Sequence, residues 1–141
     1  KEFATREAFD RAIMQCLKEH HVDFIVLAGY MRLFSSHFTR SYPNKILNIH
    51  PALLPAFKGT HGIRDAFQYG VKVTGATVHF VVEAMDAGAI ILQEAVAVSP
   101  KDTEASLARK IHRVEHRIYP KAIDLFARGK LKLTGRTVKI I

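Results

Sequence analysis

A single cysteine, Cys16, leaves no partner for an internal disulfide, and such sparse thiol usage fits a reducing compartment. No apolar run is long enough to cross a bilayer, and no stretch reads as a secretory signal. Repeats, low-complexity tracts and linker-like segments are missing as well. What remains is 141 residues, 48% of them hydrophobic, with a mean hydropathy of +0.02. That is one domain, 1–141, with enough apolar material to bury a core.

Acidic residues are scarce in the last third. Residues 101–141 carry eleven Lys/Arg against four Asp/Glu, whereas residues 1–100 carry ten against nine. A basic end of this kind can attract nucleic acid, an acidic membrane or a small polyanion. No nucleic-acid motif accompanies it, and its cations alternate with apolar residues at helical spacing. A solvated helix face is the default reading.

In chain order, Thr5 caps a helix over Arg6–His20, and Phe9, Ala12, Ile13, Cys16 and Leu17 give it one buried face. Cys16 is therefore expected in the core. Asp23–Ala28 is a continuous apolar run, the pattern of a strand buried on both faces. Ser35–Ser41 is a short helix. Gly62–Tyr69 is another, ending at Gly70. Thr74–Val82 and Ala89–Val98 are strands, the first with Thr77 and His79 on one face. A long helix opens near Asp102 and holds its period to Gly129, with a kink or break expected at Pro120. Leu131–Leu133 and Thr137–Ile141 flank a terminal hairpin. Strands alternating with helices give an α/β sheet, with an antiparallel part late in the chain.

Chemistry concentrates in Lys45–Pro55. Asn48 and His50 stand at i and i+2 in an apolar strand, so they share a face opposite Leu47 and Ile49. Pro51 ends the strand, and ligands of α/β sheets bind at such strand ends. An amide can donate to a developing oxyanion, an imidazole exchanges protons near neutral pH, and a carboxylate such as Asp86 would favour its charged form. Together they suit acyl transfer to an external nucleophile, because no G-x-S-x-G or other internal nucleophile is evident. The competing reading is a buried Asn and His satisfied by loop backbone. Spacing alone does not choose between them, nor does it bring Asp86 to His50.

Two weaker signals stand beside this one. His112-Arg113-Val114-Glu115-His116 matches the zinc-protease pattern H-x-x-E-H, but no third ligand is evident. Surface histidines on a basic helix explain it better, and Glu115 facing a polar substrate is a third reading. Arg32, following the strand that ends at Gly29, could bind a carboxylate or phosphate bidentately, or form a surface salt bridge.

The run Asn48-Ile49-His50-Pro51-Ala52-Leu53-Leu54-Pro55, followed by Gly59-Thr60-His61-Gly62, Val78-His79-Phe80 and Met85-Asp86-Ala87-Gly88, resembles the folate-dependent formyltransferases. The resemblance extends from Arg6-Glu7-Ala8-Phe9-Asp10 to Glu115-His116-Arg117-Ile118-Tyr119-Pro120. It implies a Rossmann-like α/β fold with a mostly parallel sheet. It also implies a cytoplasmic enzyme of de novo purine biosynthesis that moves the formyl group of 10-formyltetrahydrofolate to the amine of glycinamide ribonucleotide. These two small molecules would be its partners, with no metal, nucleic acid or membrane. By the family pattern, Asn48, His50 and Asp86 are the catalytic trio. Arg6, Met31, Arg32, Leu33 and Phe34, with Asn48 and Asp86, face the folate. Gly29, Pro51 and Glu115 surround the ribonucleotide, Glu115 as acceptor of ribose hydroxyls.

The family opens with a strand and a Gly-rich loop that cradles the substrate phosphate, and this chain, starting at Lys1, has no such loop. The expectation is the C-terminal portion of a formyltransferase domain, incomplete at the N-terminus, with the site completed elsewhere. Formyltetrahydrofolate deformylase, with water as acceptor, shares the trio. Methionyl-tRNA formyltransferase suits the charge but not the loop after Pro55. A non-catalytic fragment or a basic nucleic-acid module stands outside the enzymes.

Overall fold

The computed structural model describes residues 3–141; residues 1 and 2 of the expected domain, with Lys1, lie outside the described residues. Its elements are α1 (Arg6–Glu19), β1 (Ile25–Leu27), α2 (Ser36–Ser41), β2 (Ile46–His50), α3 (Gly62–Tyr69), β3 (Val73–Phe80), β4 (Ile90–Ala97), α4 (Glu104–Ala127), β5 (Leu131–Thr134) and β6 (Thr137–Ile140). One mixed sheet holds the six strands in the order β1-β2-β3-β4-β6-β5. β1/β2 and β4/β6 are parallel, while β2/β3, β3/β4 and β5/β6 are antiparallel. The antiparallel part is thus larger than expected and begins earlier, at β2. The short turn between β3 and β4 decides part of this, because a short connection can join only antiparallel neighbours.

Local signals set the helix ends. Thr5 Oγ1 accepts from Ala8 N, Ser35 Oγ from Phe38 N, and Thr103 forms a reciprocal capping box with Ser106. Gly70 closes α3 in the left-handed region at φ 80°, where glycine carries no Cβ penalty.

Helices cover both faces of the sheet. On one, Leu107, Ile111, Val114, Ile118, Tyr119 and Ala122 of α4 pack on Leu47, Ala76, Val78, Phe80, Ile91 and Val96. On the other, Phe34, Phe38 and Ile46 are joined by Ile13, Met14 and Leu17 of α1. The Tyr119 hydroxyl lies against two backbone carbonyls, those of Leu27 and, at 3.1 Å, of Leu47. It ties α4 to the two strands that end at the candidate site. Burial pushes this phenol well above its ordinary pKa, against the opposing pull of the Leu27 bond.

Three expectations are corrected. First, of the kink or break expected at Pro120, the break does not occur: α4 runs on through it. An interior proline costs about 3 kcal/mol, but each buried Leu or Ile contributes about 1.5–3 kcal/mol, so the packed face outweighs it. Pro120 and His116 are exposed, so the carbonyl that loses its partner can meet water. Second, β1 is not buried on both faces. It lies at the sheet edge among the described residues, and Val26 is 38% exposed. Third, Cys16 is exposed. On α1 the one fully buried residue is Asp10, because the helix packs through Ile13, Met14 and Leu17, and Cys16 falls on the flank of that stripe.

Asp102, just before α4, accepts from Ser99 N at 2.7 Å, from Ser106 Oγ at 2.7 Å and from Lys110 Nζ. The Lys110 and Ser106 bonds are the main reason its pKa falls to about 2. A depressed carboxylate adds stability that is complete above its unfolded pKa, about 4, and is lost as pH falls through the folded value. Urea midpoints measured between pH 4 and 2 should therefore fall less steeply in Asp102→Asn than in the wild type. Parallel slopes would show that the cluster adds nothing.

Candidate active site

The antiparallel register of β2 and β3 builds the site. It sets Asn48 opposite His79 and His50 opposite Thr77, and directly opposed residues project from the same face. Leu47 and Ile49 face α4 instead. Two period-two polar pairs, one from each strand, therefore form a four-residue polar patch at the end of β2.

Within it, His79 Nδ1 lies 2.9 Å from Phe80 O, and its Nε2 lies 3.3 Å from Asn48 Nδ2. A carbonyl can only accept, so Nδ1 carries the ring proton. The Nε2 lone pair of the neutral ring then accepts from the Asn48 amide. His79 is 2% exposed, and burial, the main cause, lowers its pKa. The Phe80 bond and Asp86 oppose that shift, while His50 adds to it. A neutral His79 fixes which way the Asn48 amide points and leaves its second N–H free.

Asp86 reaches the patch from the β3–β4 turn. Its Oδ2 is 3.5 Å from His50 Nδ1 and its Oδ1 is 3.7 Å from His79 Nε2. Gly59 N donates to Oδ2 at 2.8 Å. The sequence-inferred trio is thus brought together, with His79 as a fourth member that accepts from Asn48 and lies beside Asp86. The period-two pair Thr77/His79 was the legible signal for that fourth residue; the register that aims it at Asn48 was not. Asp86 has φ 50°, an uncommon conformation that an aspartate tolerates better than most residues and that functional turns often hold.

The Pro51–Gly59 loop closes over these groups. His50 Nε2 lies 2.7 Å from Phe57 O. Thr77 Oγ1 donates to Ala52 O at 2.7 Å and accepts from Leu54 N at 3.1 Å and Gln93 Nε2 at 3.0 Å. Gln93 Nε2 also donates to Leu54 O at 2.8 Å. This buried clamp holds the chain just past Pro51.

The other inferred residues fall in two groups. Leu27 pairs with Asn48, so Gly29 (φ 67°) and the Met31–Phe34 segment follow β1 beside the end of β2. Met31 is 65% and Leu33 51% exposed, whereas Phe34 is buried. The Arg32 guanidinium lies 4.3 Å over the Phe9 ring, so it stacks instead of pairing with a carboxylate. Arg6 is exposed, 3.5 Å from Glu7. Glu115 sits one helical turn before Tyr119, largely covered, with His112 Nδ1 2.6 Å from its carboxylate. No hydrogen bond or ion pair joins Arg6, Arg32 or Glu115 to the trio. Among the described residues no group of three or more His, Cys, Asp or Glu is placed to hold a metal ion. No helix among them is long and apolar enough to cross a membrane.

Residues 1–123 match the family described as formyl transferase. The chain belongs to that family. It is 46% identical over 123 residues to the phosphoribosylglycinamide formyltransferase of Bacillus subtilis (strain 168), covering 87% of this chain and 63% of that protein. It is 48% identical over 140 residues to the trifunctional purine biosynthetic protein adenosine-3 of Homo sapiens, covering 99% of this chain and 14% of that protein. Among solved structures, glycinamide ribonucleotide transformylase 1 from Symbiobacterium toebii superposes with a TM-score of 0.95 at 51% identity, over 99% of this chain and 66% of that one. The chain thus spans about two thirds of these formyl transferases and about a seventh of the trifunctional protein.

The position of Asp86 depends on Gly88. A Cβ there would lie 1.6 Å from Phe80 O and 2.6 Å from its carbonyl carbon, a backbone clash that only movement of the turn relieves. Gly88→Ala is expected to destabilise the fold by about 2–3 kcal/mol and to draw Asp86 away from His50, read by urea denaturation and a crystal structure. A loss below about 0.5 kcal/mol would show that the turn is free to shift.

Proposed function

We propose that this chain carries the chemistry of a phosphoribosylglycinamide formyltransferase: transfer of the formyl group of 10-formyltetrahydrofolate to the amine of glycinamide ribonucleotide, in cytoplasmic de novo purine biosynthesis. The observation that carries this reading is the meeting of Asn48, His50, His79 and Asp86 at one strand end. The group holds donors and proton carriers but no Ser, Cys or Lys to act as nucleophile. An acyl group then passes directly from donor to acceptor.

Each residue has a role that its contacts allow. Asn48, with one N–H held by His79, offers the other to the negative charge that develops on the formyl oxygen when the amine attacks. His50, when protonated, adds a second donor to that oxygen. Asp86 beside His50 Nδ1 steadies the imidazolium, which gives a proton to the departing nitrogen and takes one back from the attacking amine, made cationic by forming the new C–N bond, so the ring ends as it began. For that, His50 Nε2 must exchange Phe57 O for the reacting groups. Burial strengthens all of these interactions by excluding water.

The substrate assignments follow the same logic. Exposed Met31 and Leu33 offer apolar contact to a flat ring, and Arg32 and Arg6 offer cations to its carboxylate tail, so the side chains of this segment fit a folate. The folate supplies the formyl carbon. Asn48 and Asp86 face its reactive end, while Gly29, Pro51 and Glu115 line the ribonucleotide, Glu115 accepting from ribose hydroxyls in place of His112. Small molecules are the partners in this reading, without a metal, nucleic acid or membrane. Basic residues of the C-terminal third are partly committed within the fold: Lys110 to Asp102, Arg117 to Glu94 and Arg128 to Asp124.

With the full-length protein, consumption of 10-formyltetrahydrofolate should require glycinamide ribonucleotide. Consumption without any amine would assign water as the acceptor, and none at all would refute an enzyme. His50→Ala and Asp86→Asn should each lower kcat by about 10²–10⁴-fold with circular dichroism unchanged; a near-normal rate in either removes that residue from the mechanism.

A further inference from the structure

Asp10 is a carboxylate that the mechanism above does not use, yet it is 2% exposed. Burying a charge is costly unless it is bound, and a leucine at this point of α1 would pack without that cost. Its Oδ2 accepts from Ser35 N at 2.6 Å, a charge-assisted bond. Its Oδ1 is buried and has no hydrogen-bond partner among the described residues, and the same holds for the Tyr30 hydroxyl. Tyr30 and Ser35 are the two ends of the segment that contains Met31, Arg32 and Leu33.

The same helix touches that segment again. Phe9, next to Asp10, lies under the Arg32 guanidinium at 4.3 Å. Tyr30 stacks on Phe34 at 4.7 Å and Phe34 on Phe38 at 3.9 Å. Burial first, then the nearby Asp10 charge, pushes the Tyr30 phenol above its ordinary pKa, with Arg32 opposing. The charge of Asp10 is therefore felt at Tyr30 as well as at Ser35. The exposed tip, Met31 to Leu33, is carried on a base fixed to α1.

We propose that Asp10 is a positioning residue for formyl-folate binding: by holding Ser35 N–H, it sets the shape in which Met31, Arg32 and Leu33 are presented. This inference rests on the reading of that segment as the folate-facing one. Asp10 touches no substrate itself. Its loss should weaken binding of one substrate and leave the chemical step alone, a pattern that general damage to the fold does not produce.

The test compares Asp10→Ala, Asp10→Ser and Asp10→Asn in the full-length protein. Asp10→Ala, and the shorter polar Asp10→Ser should alanine not fold, are expected to raise the KM for 10-formyltetrahydrofolate about ten-fold, with kcat and the KM for glycinamide ribonucleotide within about two-fold. Asp10→Asn keeps an acceptor oxygen for Ser35 N–H and should recover most of the loss. Amide hydrogen exchange at Met31–Ser35 should be about ten-fold faster in the alanine or serine variant, with β2 amides unchanged. Wild-type exchange there in a folded variant, or a fall in kcat with an unchanged folate KM, overturns the proposal. If the wild type consumes no formyl folate, the reading of function fails, and the exchange comparison alone decides whether Asp10 shapes the segment.

Discussion

The antiparallel pairing of β2 with β3 fixes what the candidate site can be. Side chains alternate across a sheet, so a slip of one residue would turn Asn48 and His50 away from His79 and Thr77. The register is held from the opposite face, where Leu47 and Val78 are fully buried against α4. Moving them to the polar side would expose apolar surface at about 25 cal/mol per Å² and bury the amide and imidazoles without partners. The hydrophobic face thus enforces the arrangement of the polar one.

A second layer of constraint comes from segments without regular structure. The Pro51–Gly59 loop is fastened at its start by Thr77 and Gln93 and meets Asp86 at its end through Gly59. The β3–β4 turn brings Asp86 in from the other side, at a backbone angle few residues adopt and with a glycine where the chain touches Phe80. Neither segment has a core of its own. The loop is held by hydrogen bonds to side chains of β2, β3 and β4, and the turn by Gly59 N–H on the Asp86 carboxylate and by Arg136 on Ala87 O, so each irregular segment is fixed by polar contacts to its surroundings.

Much of this was legible from residue order, for reasons that also explain the failures. Caps at Thr5 and Ser35, the glycine after Tyr69 and the helical period after Asp102 are local signals, and the elements fall where they point. Asn48 and His50 sharing a face is local too. What local patterns do not contain is neighbourhood. The apolar run at Ile25–Leu27 reads as central, yet β1 lies at an edge among the described residues. Cys16 sits on an apolar stripe whose flank stays open, and Pro120 interrupts a period that tertiary packing carries through. His79 completes the patch through a pairing 31 residues away, which no spacing within either strand announces.

The stack of rings that begins at Tyr30 has one more consequence. It continues through Phe34 and Phe38 to Tyr42, and the chain contains no tryptophan. With no indole to dominate absorption and emission, two of its four tyrosines end a column that joins the Met31–Leu33 tip to α2. Near-ultraviolet dichroism is sensitive to such fixed ring packing. The chain therefore carries its own optical gauge of this corner, one that responds to a change in the tip without an added dye.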